Sequence, residues 1–133
     1  MRIVLGVVAG FITWSIVWVG SEGTLGRFWS EFAEHSAAAE RAFVNGEALA
    51  ASPIIALANL IRSFITSIIG GYIAALVSGE YRRVTMFLGA ILVVVGIGVE
   101  YLFWNLAPVW YHIIFVLMLY PMTVLGGRLR RSN

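Results

Sequence analysis

Four long apolar runs, residues 3–20, 53–77, 84–104 and 109–125, constrain this chain more than any motif it contains. Each approaches the length of roughly 20 residues that a helix needs to cross the hydrocarbon of a bilayer. Outer-membrane barrels alternate apolar and polar residues in segments of about ten, so a barrel is set aside. Composition points the same way. Of the 133 residues, 60% are hydrophobic, and the mean hydropathy is +0.89, well outside soluble usage. The expected fold is all-α, a single integral membrane domain built as a four-helix transmembrane bundle in contact with lipid.

Punctuation sets the expected boundaries. Arg2 and the apolar run after it share features with a signal peptide, but no small-x-small cleavage site precedes Trp18 and Glu22, so the run is read as an uncleaved span. Pro53 opens the second span, and Gly79 with Arg82-Arg83 closes it. Asn105-Leu106-Ala107-Pro108 is the turn signal between spans three and four, which makes them a tight hairpin. Gly126-Gly127 is expected to terminate span four ahead of Arg128, Arg130 and Arg131.

The charges sort by side. All nine cations are Arg and all seven anions are Glu, a usage typical of GC-rich coding that points to a bacterium. The net charge of +2 gives no reason to expect nucleic acid. In a four-span topology Arg2, Arg82, Arg83, Arg128, Arg130 and Arg131 share one side with Glu80 alone. Arg27 and Arg41 share the other with Glu22, Glu31, Glu34, Glu40 and Glu47. The arginine-rich side is the cytoplasmic one by the positive-inside rule, so both termini are expected in the cytoplasm and residues 21–52 outside.

That outer segment is patterned. Leu25, Phe28, Trp29, Phe32, Ala39 and Phe43 recur at spacings of three, four and seven. This predicts an extra amphipathic helix in the first extracytoplasmic loop, its aromatic face turned to lipid or to the bundle rather than to water. A lid or partner surface is a third reading.

Small residues mark where helices can approach closely: Gly6 and Gly10 in span one, Gly70 and Gly71 with Ala51, Ala74, Ala75 and Gly79 in and around span two, and Gly89 and Gly96 with Ala90 and Gly98 in span three. Packing within the chain is the simplest use of such faces. Self-association, or membership of a larger membrane complex, is the further one.

Two ionisable residues interrupt the apolar spans, Arg62 and Glu100. A charge at a helix centre costs roughly 2.5–3.5 kcal/mol on insertion scales, so such groups turn inward and find partners. Counting from the cytoplasmic boundary places both about 21–23 Å into a core of about 30 Å. His112 reaches the same level across the hairpin, and Asn59, Arg62, Ser63, Thr66 and Gly70 form one polar stripe on span two. Arg62 and Glu100 are therefore expected within direct or one-water hydrogen-bond reach, with His112 and Asn59 taking the remaining capacity. Tyr101, Trp104, Trp110 and Tyr111 surround this level as an interfacial belt would. A layer of this kind either binds a ligand or moves protons, or it merely fixes which helices pair while Arg and Glu snorkel to headgroups.

Enzyme signatures are missing. There is no H-E-x-x-H, phosphate-binding loop or G-x-S-x-G, there is no cysteine, and the histidines are His35 and His112 alone. Neither metal nor cofactor is expected. The leading expectation is a non-enzymatic membrane module, a homo-oligomer or an accessory subunit. The alternative is a small permease or ligand-binding membrane protein using Arg62, Glu100, His112 and Asn59.

Gly70-Gly71-Tyr72-Ile73-Ala74-Ala75, Asn105 to Pro108 with Trp110, and Pro121 with Gly126-Gly127-Arg128-Leu129 together resemble a broad class of small four-span bacterial membrane proteins of unknown function. The resemblance covers about half the chain, implies a fold and a bacterial inner membrane, and carries over no catalytic residue. Asn59-Leu60-Ile61-Arg62-Ser63-Phe64 is similar to the second span of fluoride channels. However, their phenylalanine- and threonine-rich third span has no counterpart here, and Arg62 replaces a small residue. Small multidrug transporters carry a carboxylate in the first span, where this chain has none. The strong charge asymmetry also argues against the dual-topology assembly of both families, and both are set aside.

Overall fold

A computed structural model describes residues 2–47, 53–104 and 109–132, with the backbone alone for Arg131 and Ser132. Five helices account for nearly all of them: α1 (Arg2–Phe28), α2 (Ser30–Asn45), α3 (Pro53–Ser78), α4 (Arg82–Leu102) and α5 (Val109–Ser132). Four of these are long and apolar enough to cross a membrane, namely α1, α3, α4 and residues Val109–Arg130 of α5. The turn read at Asn105 to Pro108, together with Ala51 and Ser52, lies outside the described residues.

Two boundaries differ from the sequence reading. Helix α1 does not stop at Gly20 but continues through Gly23 and Gly26 to Phe28. At about 1.5 Å per residue its 27 residues are more than a bilayer core of about 30 Å requires. Leu25 and Phe28, assigned from spacing to the outer-loop helix, belong to α1, and the chain breaks only at Trp29, which is extended. Likewise Gly126-Gly127 does not end α5, which runs on to Ser132. Gly79 does end α3: it adopts φ +80, where glycine is favoured, and its N–H donates to the Ala75 carbonyl at 2.9 Å. Glu80 then caps α4, its carboxylate accepting from the backbone N–H groups of Arg83 (3.1 Å) and Val84 (2.8 Å).

Without a hydrophobic force between helices in lipid, close packing has to come from shape. Helix α3 is the centre of the bundle, packed chiefly on α5 and α1, while α4 leans mainly on α5. Gly6 and Gly10 set α1 into the groove between α3 and α4. A Cβ on Gly6 would meet the Ala74 carbonyl at 2.7 Å and Val84 at 2.8 Å, and one on Gly10 would meet Ala74 at 2.8 Å. Gly70 faces the Gly10 carbonyl and Trp14, Gly89 lies under the Tyr120 ring, and Gly96 lies under Leu119. The nearest approach is α3 to α5, where Gly71 abuts the Thr123 backbone and Gly126 abuts the Ile68 backbone. The glycine read as a helix stop is a packing residue. Outside these contacts the spans show apolar surface such as Ile16, Val19, Val94 and Leu117, each about two-thirds exposed at 66–69%, which lipid would solvate without penalty.

Candidate functional site

One end of the bundle holds a cavity of about 570 Å³, and residues of all five helices line it. From α3 come Ala56, Asn59 and Arg62, successive turns of one helical face; from α4 come Val99 and Glu100, with Phe103 just past its end; and from α5 come Tyr111 and His112. Trp18 and Glu22, one turn apart, are the contribution of α1. Helix α2 supplies Phe32, His35, Ala39, Glu40 and Phe43. Asn59, Arg62, Glu100 and His112, singled out from the sequence, therefore share one cavity.

Of the expected pairings, Glu100 with His112 is made and the direct one between Arg62 and Glu100 is not. The guanidinium of Arg62, a residue only 7% exposed, turns to α1 rather than α4: Nη1 donates to the Trp18 carbonyl at 3.0 Å and lies 4.0 Å from the Glu22 carboxylate. Its carbon sits 3.8 Å above the Trp18 ring and 5.6 Å from the Phe32 ring, between the two aromatic faces. The direct Arg62–Glu100 bond is not formed. The reason is the glycine groove: with α1 seated between α3 and α4, the polar stripe of α3 meets α1 first. The same contact lets Trp14 Nε1 donate to Ser67 Oγ at 3.1 Å. Thr66 Oγ1 donates to the Arg62 carbonyl at 2.7 Å, closing its hydroxyl within the helix.

Glu100 instead contacts His112 Nδ1, and His112 Nε2 meets the Trp104 carbonyl at 3.0 Å. A carbonyl oxygen only accepts, so Nε2 carries a hydrogen. The Nδ1 contact then holds one further proton, on the ring or on the carboxyl group, and the pair is net neutral either way. Trp104 stacks on the His112 ring with 4.7 Å between centroids. Of the four aromatic residues read as a belt, Tyr101, Trp104 and Trp110 are exposed while Tyr111 is buried and lines the cavity.

No family model, curated protein or solved structure matches this chain.

Its chemistry must be read from the side chains. Among the described residues four buried polar atoms are left without a partner: Arg62 Nε, Asn59 Oδ1, His35 Nε2 and Ser63 Oγ. The first three belong to residues lining the cavity. Buried polar groups are ordinarily satisfied, so an orphaned donor and an orphaned acceptor beside one void mark a place built for a polar occupant, water included. Burial pushes the His35 imidazole below its ordinary value of 6.5. Among the described residues no group of three or more His, Asp or Glu is placed to hold a metal.

A second hollow of about 390 Å³ opens beside the Glu100–His112 pair, lined otherwise by apolar or aromatic residues such as Ile97, Trp104, Ile113 and Leu117. The neutral pair thus lines both the cavity and an apolar groove formed by α4 and α5.

Sequence reading missed the contributions of Trp18, Glu22, Phe32, His35 and Glu40. A signal for the first two existed: Trp14, Trp18 and Glu22 repeat every four residues and share a face once α1 is known to run past Gly20.

Proposed function

We propose that this protein is a small, non-enzymatic, multi-pass membrane protein that binds a ligand in the cavity at the α2 end of its bundle, as a permease or binding subunit would. The observation that carries the reading is Arg62, buried in the apolar part of the molecule with Nε unpartnered, beside a void of about 570 Å³. A purely architectural cluster would be dry and fully paired, because an unpaired buried polar atom costs about 1–3 kcal/mol. The small-residue faces that would serve a homo-oligomer or accessory subunit are largely taken up inside the chain, at Gly6, Gly10, Gly70, Gly71, Gly89 and Gly96. Self-association has less to rest on.

In this reading α2 is an amphipathic cap on the outer face. Phe32 turns inward against Arg62, and Phe43 stacks on Phe103, the residue that follows α4, with 4.6 Å between centroids. The cytoplasmic side carries the arginine-rich α3–α4 turn and both termini, in a bacterial inner membrane. The chain has no native cysteine, which makes the test direct. Ala39→Cys, on the cavity wall in α2, should react with a membrane-impermeant thiol reagent applied to the periplasmic side of intact spheroplasts. Reaction only after permeabilisation would reverse the orientation, and no reaction at all would close the cavity and end the ligand reading.

A further inference from the structure

Resting on the ligand-cavity reading, we infer that the occupant is a zwitterion with an apolar body: an anionic group and an ammonium group a few bonds apart, as in a hydrophobic α-amino acid or an ethanolamine phosphate headgroup. The charge ledger of the cavity leads there. The Glu100–His112 pair is neutral by its hydrogen-bond partners. His35, pushed below its ordinary value by burial, is uncharged at neutral pH. What remains is one guanidinium, Arg62, against two carboxylates, Glu22 and Glu40. A simple anion would enter a site of net negative charge, and a simple cation would leave Arg62 Nε unanswered.

The charges also differ in burial. Arg62 is buried, whereas the Glu22 side chain, 4.0 Å from it, is 46% exposed and Glu40 is exposed, so the cation is the deeper charge and the carboxylates are the ones water reaches. An occupant entering anion first satisfies the orphaned Arg62 Nε, and its ammonium is left near the orphaned Asn59 Oδ1 and the carboxylates. The Glu22 contact with Arg62 is at 4.0 Å, long enough to be displaced by a better-placed anion. Trp18, Phe32, Phe103 and Tyr111 also line the cavity, a surface suited to an apolar body.

The test measures protection from thiol modification in the full chain carrying Ala39→Cys or, independently, Ala56→Cys, with a small water-soluble reagent. L-Phenylalanine should slow modification about tenfold at saturation, while 3-phenylpropionate and phenethylamine, each with a single charge, should need concentrations at least about tenfold higher. Arg62→Gln should abolish protection yet leave modification intact. Nanodiscs separate the two sources of the shared chemistry: slow modification in phosphatidylethanolamine but not in phosphatidylglycerol, with no response to phenylalanine, assigns the headgroup. Equal protection by a single-charge analogue overturns the zwitterion, as does accessible cysteine that neither phenylalanine nor phosphatidylethanolamine protects, and in both cases the cavity reading stands. If neither cysteine reacts while both variants remain folded by circular dichroism, both readings fall.

Discussion

The Arg62 guanidinium lies 3.8 Å above the Trp18 ring and donates to the carbonyl of that same residue, so one tryptophan holds the buried cation by face and backbone together. The backbone part survives any substitution at position 18. Trp18→Phe should therefore keep most of the stability, and Trp18→Leu should lose about 1–2 kcal/mol, the cation–π share of a desolvated site. Thermal unfolding in detergent measures both. A Leu variant as stable as the parent would show that the ring is only a neighbour.

Glu22 is a different kind of partner. Its carboxylate is half exposed and 4.0 Å away, so water can answer it when Arg62 is occupied elsewhere. Glu22→Gln should lower stability by less than about 1 kcal/mol.

Glu100 and His112 stand at the opposite extreme, at 7% and 2% exposure. Removing one partner, by Glu100→Ala or His112→Ala, should cost about 3–5 kcal/mol, and replacing both with apolar residues of similar size should restore much of it. Additive losses in the double variant would show that the two do not act as a pair.

The packing glycines divide cleanly. Gly71→Ala and Gly126→Ala would drive a methyl into opposing backbone, which cannot retreat as a side chain tip can, and each should cost about 1–3 kcal/mol or more. Gly98 has nothing within 4 Å, so Gly98→Ala should be neutral or gain up to about 1 kcal/mol from helix propensity. Unfolding midpoints for the three variants decide it.

The seat of α2 should depend on pH through His35. Its folded value is depressed, so the folded state resists the proton that the unfolded chain accepts. Stability from this group is complete above the ordinary value of 6.5 and falls as pH drops below it. Lowering the pH from about 7.5 to about 5 should lower the unfolding midpoint of the parent more than that of His35→Leu. Identical pH profiles would exclude His35 as the source.

Residue order alone was enough to locate the four long apolar helices and the polar residues that one cavity brings together. Runs of apolar residues leave a backbone in lipid no choice but to bond within its own helix, so α3 at Pro53–Ser78 and α4 at Arg82–Leu102 could be read within a few residues. Arg62, Glu100, His112 and Asn59 stood out because charge and amide are rare at such depth. Depth, however, is a coordinate along a helix, and partnership depends on rotation and neighbours. Whether Arg62 met α4 or α1 was decided by Gly6 and Gly10 admitting α1 between α3 and α4. Whether Gly126 stopped a helix or packed one was decided by the Ile68 backbone across from it. The fold of Phe32 over Arg62 likewise needed the break at Trp29, which returns α2 toward the bundle. Local pattern determines which helices exist and which residues are too polar for lipid; the contacts that answer those residues are non-local, and only the packed tertiary structure chose among them.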